Sequence, residues 1–339
     1  MLDDNSQVWS EHLCTHQDYC GSGRQFLADL DLTLPFAEFQ VYGTFLGQGR
    51  LPPFWGPTLR GAFGYHLKKT VCHANKGVCK SCIVRNTCAY SYIFEGLPPE
   101  NREFMRLYPH IPQPFVLIAD MGLDTSIHSG QPLQFGMRLF GKAIELFPYI
   151  VYSLLEIGKQ GAGKDRIPFC INTITQPLCG RTLYEDGSTC LGTLEKENPP
   201  ASNLVPEKNL VVEFVTPTKI QIDGKEAASI EFETLIKTAL RRISILSYFY
   251  GTPLDPKFSL NELLEGMEKI EKVSEKTQMY EFSRYSGRQK KSVLLKGIVG
   301  KVVFAGNWAC CRAILELAGI FNIGKATSFG FGRIQLSQE

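Results

Sequence analysis

Nothing in this chain approaches the ~18 consecutive apolar residues that a membrane-crossing helix needs, although 44% of its 339 residues are hydrophobic. That apolar share is enough for buried cores instead. The opening MLDDNSQVWSEHL lacks both the positive start and the apolar stretch of a secretory leader. A dominant charge is also missing. With 36 Lys and Arg against 34 Asp and Glu, the net charge is +2, so no global field draws the protein to nucleic acid and any basic surface must be a local patch. Finally, a disulfide framework is absent. The eleven cysteines are odd in number and unevenly spread, which fits a reducing cytoplasm. The expected protein is cytoplasmic, off the membrane, and divided into about two domains.

What the chain does contain is a repeated order of elements. In 132–171, an apolar run ends at Phe140-Gly141, and Ile144, Phe147, Ile150, Val151, Leu154 and Leu155 recur at helical spacing. Glycines and Gly163-Lys164 follow, then the strand-like RIPFCI. In 298–336, the strand-like VVFAG ends at Gly306, a helix is expected over Trp308–Ala318, and Gly324-Lys325 leads to FGRIQL. Two such copies indicate a duplicated domain. Both match GxxxxGK, at Gly158–Lys164 and Gly319–Lys325, yet neither is a P-loop. In a P-loop the helix follows the glycines and Ser or Thr follows the Lys, whereas here Asp165 and Ala326 stand there. These are turns closing a helix onto its returning strand.

Each copy has an earlier half. FAEFQVYGTFL (36–46), TLRGAFGYHLKKTV (58–71) and PFVLIAD (114–120) read as strand, helix and strand. LVVEFVTPTKIQI (210–222) and IEFETLIKTALRRISILSYFY (230–250) read as strand and helix. The expected fold class is α+β, with tandem ferredoxin-like (RRM-like, βαββαβ) domains. The expected boundaries are an N-terminal extension of unknown structure at 1–34, a first domain at 35–185, a linker at 186–208 around ENPPASN, and a second domain at 209–339 with a Gly-rich loop at 319–332.

Cys72, Cys79, Cys82 and Cys88 form C-x6-C-x2-C-x5-C. Four thiolates complete a tetrahedron around a metal, so a four-Cys metal-binding insertion is expected in the first domain. Structural zinc is the first choice, an iron–sulfur cluster the alternative, and four free thiols the plain reading. The other seven cysteines show no comparable spacing. RYSGRQKKSVLLKGIVGK (284–301) is a run of cations with no acid among them. Arg284, Arg288, Lys290 and Lys291, with Lys325 beside the glycines, are candidates for phosphate contacts, and Tyr285 for stacking on a base. A solvated charged face is the competing account.

The stretch RYSGRQKKSVLLKGIVGKVVFAGN, with NIGKATSFGFGRIQL after an apolar helix, resembles the C-terminal half of CRISPR-associated endoribonucleases of the RAMP superfamily. PTLRGAFGYHLKKTVC, the cysteine cluster, CAYSYIFE and LFGKAIELFPYIVYSLLEIGKQGAGKDR resemble the same family, so the likeness spans roughly 35–336. It implies tandem ferredoxin-like domains, binding of CRISPR repeat RNA, and cleavage of precursor transcripts without a catalytic metal, leaving a 5′-hydroxyl and a 2′,3′-cyclic phosphate. Other CRISPR-associated effector subunits are candidate partners.

Such cleavage needs a base for the 2′-hydroxyl, an acid for the leaving 5′-oxygen and a cation for the phosphorane. Histidine serves near neutral pH, and the chain has six. His66 in RGAFGYHLKK is the leading candidate, with Tyr65 and Lys69 as partners and Arg60 as a further cation. The resemblance implies that a catalytic His from this region faces the Gly-rich loop. The helical wheel instead places His66 between Ala62 and Leu59, near Phe63, on the apolar stripe of a core histidine. His73 beside Cys72 is a second candidate; His110 and His128 lie in loop-like sequence, and His12 and His16 in the unexplained N-terminus. Three functions stay open: a repeat endoribonuclease, a non-catalytic RAMP subunit that holds CRISPR RNA, and a metal-stabilised protein-interaction scaffold.

Overall fold

The computed structural model describes residues 34–339 apart from 75–77, 100–101, 103–105, 107–109, 123–124, 201, 223–224, 228, 255–259, 268 and 287–290. Strand β1 (Phe36–Phe45) passes through the short β2 (Gly49–Arg50) into helix α1 (Gly56–Val71). Strands β3 (Phe115–Ile118), β4 (Ser126–Ile127) and β5 (Pro132–Phe140) follow. Helix α2 (Phe147–Gln160) returns the chain to β6 (Phe169–Gln176) and β7 (Arg181–Glu185). The sheet runs β3-β5-β1-β6-β7 with antiparallel neighbours. Without the added β7, this is the βαββαβ unit with its first and third strands central.

Elementary rules place these elements. Proline occupies the first turn of α1, where its missing N–H costs nothing, and Lys68 and Lys69 sit in the last turn, against the negative end of the helix dipole. Ala37, Phe39 and Val41 alternate along β1 and are fully buried. Phe39 meets Phe147 of α2 edge-on at 5.0 Å. Gly64 lets α1 close on the ring of Phe94; a Cβ there would lie 2.2 Å from it.

The second unit repeats the order. Strand β8 (Leu210–Thr218) is followed by the small β9 (Gln221–Ile222) and β10 (Lys225–Glu226), then helices α3 (Phe232–Tyr250) and α4 (Leu260–Glu265). Strands β11 (Glu271–Ser286) and β12 (Lys291–Ala305), helix α5 (Arg312–Phe321) and β13 (Ile334–Gln338) complete it. The sheet order β11-β12-β8-β13 again puts the first and third strands of βαββαβ in the centre. Among the described residues no helix is long and apolar enough to cross a membrane.

Two features differ from the expectation. Strand β11 is not among the expected elements, because VSEKTQMYEFS is mostly polar, with Tyr280 and Phe282 the only apolar residues on its half-buried face. The reason is geometric: β12 pairs with β8 only from Ile298 to Phe304, while it pairs with β11 from Lys291 to Ala305, so the outer part of this ribbon projects past its own sheet, where Phe282 packs against Phe54 and Phe331. Helix α5 starts at Arg312 rather than Trp308. Trp308 is fully buried and donates from Nε1 to Lys208 O at 2.9 Å, which holds 309–311 in a tighter 3₁₀ turn.

The two units share a seam. Phe36 and Phe140 of the first sheet meet Phe321 of α5 edge-on, at 6.2 and 5.4 Å. The last carbonyls of α5 have no partners within the helix. Arg138, paired with Glu38, donates to Ile320 O, and the buried Arg242 donates from Nε to Phe321 O at 3.3 Å. Two guanidiniums therefore finish the helix that leads into the Gly-rich loop.

Candidate nucleic-acid interface at the domain seam

The loop after α5 is shaped by left-handed residues. Asn322, Gly324, Ala326, Gly330 and Gly332 all have positive φ. Ile323 N donates to Gly332 O at 2.9 Å and Asn322 Nδ2 to Phe331 O at 2.7 Å, which ties the loop across its base. Thr216 Oγ1 fixes it to β8 by donating to Gly330 O at 2.7 Å. The start of α1 presses on it from the other domain, and a Cβ on Gly56 would lie 2.2 Å from Phe329 O.

Three arginines converge on this loop. The Arg60 guanidinium of α1 lies between the rings of Phe94 and Phe329, 4.4 and 4.5 Å from their centroids, and its Nε donates to Ser328 Oγ at 3.0 Å. Arg284 of β11 also lies over Phe329, at 4.7 Å. Burial holds its pKa below the usual guanidinium value, and its Nε is buried without a partner. Arg333 donates from Nη2 to Asp120 Oδ1 at 3.1 Å, while its Nε is likewise buried and unpartnered. Phe282 anchors the β11–β12 ribbon here, 5.9 Å from Phe54 and 6.1 Å from Phe331. Guanidiniums held by aromatic faces keep planar donors in place for phosphate oxygens.

The other cations named from sequence are distributed differently. Lys325 follows the loop's Gly324 and donates to Gln221 Oε1. Lys291 is exposed at the start of β12. Arg288 and Lys290 lie outside the described residues. The run that contains no acid in sequence acquires acids in space: Lys296 pairs with Glu226 at 2.6 Å and Lys301 with Glu213 at 3.2 Å. Arg60 could not be grouped with Ser328 and Arg333 from sequence because 268 residues separate it from Ser328.

His66 is 6% exposed and lies toward α2. Six residues at about 100° each separate it from Arg60 by about 120° around α1, so the two serve different faces. Its ring meets that of Tyr65 at 5.1 Å. Burial pushes its pKa down; the nearby Glu156 carboxylate raises it and Lys69 lowers it further. Tyr65 and Lys69 are exposed, one turn apart on the same flank. His73, His110 and His128 are exposed. Stability is expected to fall as pH drops below about 6.5, where the unfolded imidazole takes a proton that the folded one resists. The loss continues down to the lower folded pKa, and His66 adds no slope at neutral pH and above. His66→Gln should remove that acid-side slope in urea melts at about pH 5.5 and about pH 7.5; an unchanged slope would refute the assignment.

The expected four-thiolate centre is not assembled: among the described residues no three His, Cys, Asp or Glu side chains converge to hold a metal ion. The donor chemistry is partly present. Cys72, Cys79, Cys82 and Cys88 are all half-buried free thiols. Burial raises the Cys79 pKa, and Glu95, Cys72 and Cys88 are near enough to add to it, with Lys68 opposing. Val78, Ile83 and Val84 around them are exposed, while Cys79 and Cys88 pack against the first domain's core.

Residues 212–334, which carry β8 through the Gly-rich loop, match the family model of the CRISPR-associated endoribonuclease Cas6. That match lies within the second domain. Residues 34–199 match a model described only as an N-terminal domain. An uncharacterized protein of Archaeoglobus fulgidus is 25% identical over 291 residues, covering 84% of this chain and 92% of the relative. The Cas6 fold extends over both domains. A Thermus thermophilus Cas6 superposes with a TM-score of 0.51 at 12% identity, over 90% of this chain and 99% of that one. A Cas6 product complex gives 0.53 at 14% identity, over 89% and 100%. A chain of a partial Cas6-RT-Cas1–Cas2 complex gives 0.55 at 10% identity over 92% of this chain, which spans only 47% of that longer chain. The likeness of fold thus covers both domains.

Proposed function

We propose that the protein binds and cleaves CRISPR repeat RNA in precursor transcripts, with the RNA backbone lying across the domain seam. The observation that carries this reading is the Gly-rich loop of the Cas6 domain held between Arg60 of one domain and Arg284 of the other, both against Phe329. In the proposed reaction the 2′-oxygen attacks the adjacent phosphorus and the 5′-oxygen departs with a proton. The products are a 2′,3′-cyclic phosphate and a 5′-hydroxyl, and no metal takes part. Arg60 and Arg284 would hold flanking phosphates of the RNA at the seam. His66, kept neutral by burial, is the proposed base, with Tyr65 and Lys69 on the exposed flank as proton donor and cation. Cys72, Cys79, Cys82 and Cys88 would hold a structural zinc, or an iron–sulfur cluster, that folds the insertion and leaves no open position for substrate. CRISPR-associated effector subunits are proposed partners of the product complex.

A second reading has its own observation. His66 is buried against α2 on a face other than that of the loop, which suits a core histidine in a subunit that holds RNA without cutting it. Cleavage of repeat RNA in EDTA by wild type and His66→Ala separates the two. Wild-type cleavage that is lost by about 100-fold or more in the variant, with RNA affinity kept, supports His66 as base. Equal cleavage by both removes His66 from the chemistry. Tight binding with no cleavage by either supports the non-catalytic subunit.

A further inference from the structure

The end of the first sheet beside the loop contains a cavity of about 210 Å³. Its walls include Phe45, Trp55, Ile127 and Leu133, and its polar positions include Asp120 and Gln134. Asp120 is the carboxylate that accepts from Arg333, the residue following Gly332, so the cavity adjoins the arginine cluster. We propose that it receives one unpaired nucleobase of the bound RNA, an inference that rests on the RNA-processing reading above.

Size and chemistry both select this ligand. Pockets that enclose drug-sized molecules run from about 300 to 1,000 Å³, so this one suits a single flat ring system rather than a nucleotide with its phosphates. No Lys or Arg lines it, and its one charged group is a carboxylate, which excludes phosphate and acids. The phosphates belong to Arg60, Arg284 and Arg333 outside. Bases unstacked from single-stranded RNA are held in this manner, with aromatic and apolar walls against the ring and polar side chains at its edge. Asp120 favours bases that present an amine: guanine, adenine or cytosine. Uracil offers only an N3–H flanked by two carbonyl oxygens, which a carboxylate repels.

The test uses the full chain and a repeat RNA carrying one abasic nucleotide at each position in turn. Wild type is expected to lose about 10-fold in affinity at one unpaired position, and a similar amount when uracil is placed there. Gln134→Trp, at an exposed strand position on the cavity rim, fills the space and should make that abasic position neutral. Asp120→Asn should erase the discrimination against uracil while keeping most of the affinity, and it carries the test alone if Gln134→Trp does not fold. Tight RNA binding in which no position couples to either variant overturns the pocket and leaves the RNA reading standing. Failure of wild type to bind any repeat RNA overturns both.

Discussion

Replacing Gly332 with alanine is expected to abolish cleavage of repeat RNA and to lower stability by about 3 kcal/mol. Gly332 has φ +77°, where an L side chain is strained, and a Cβ would lie 1.9 Å from Ile323 O. That oxygen belongs to the residue whose N–H closes the loop onto Gly332 O. Neither backbone can move without opening the base of the loop, so the substitution combines left-handed strain with a lost buried hydrogen bond. Gly319→Ala is the internal control. It lies within α5, its Cβ would meet only Ile334 O at an ordinary 3.9 Å, and helix propensity favours alanine by up to about 1 kcal/mol. Urea midpoints and cleavage rates of the two variants should therefore diverge in opposite directions. Equal midpoints would remove the loop from any role in shaping the seam.

Arg60→Ala is expected to lower RNA affinity and cleavage by about 10- to 100-fold, because a charge-assisted contact to phosphate is lost. Arg60→Lys should rescue little, since an ammonium cannot occupy the slot between the Phe94 and Phe329 rings while still donating to Ser328. The decisive readout is salt dependence. A phosphate contact predicts that the slope of log affinity against log salt falls by about one unit in the alanine variant. A merely structural Arg60 would lower the melting temperature and leave that slope unchanged.

The limits of the sequence reading follow from what kind of signal each feature leaves. Both βαββαβ units were legible because their cores are built from local periodicity: alternation along β1 and β8, and helical recurrence along α2, α3 and α5. The turns after α2 and α5 were legible because glycine is needed where φ is positive. Strand β11 was not, since only Tyr280 and Phe282 on its half-buried face are apolar and the rest of that face is polar. Its register comes from pairing with β12, and its anchoring from Phe282 against Phe54 and Phe331.

The site divides along the same line. His66 was legible both as a candidate and as a core residue, and only packing against α2 decided its burial and lowered its pKa. The acids that neutralise Lys296 and Lys301 arrive from β10 and β8, which local composition cannot reveal. Residue types, spacing and periodicity by themselves determined the two-domain ferredoxin-like order, the thiol-rich insertion and the glycine-rich closing loop. Tertiary structure alone decided which cations meet. Arg60 and Arg284 stand far from Ser328 and Arg333 along the chain, and no local preference records a pairing made where the two domains meet.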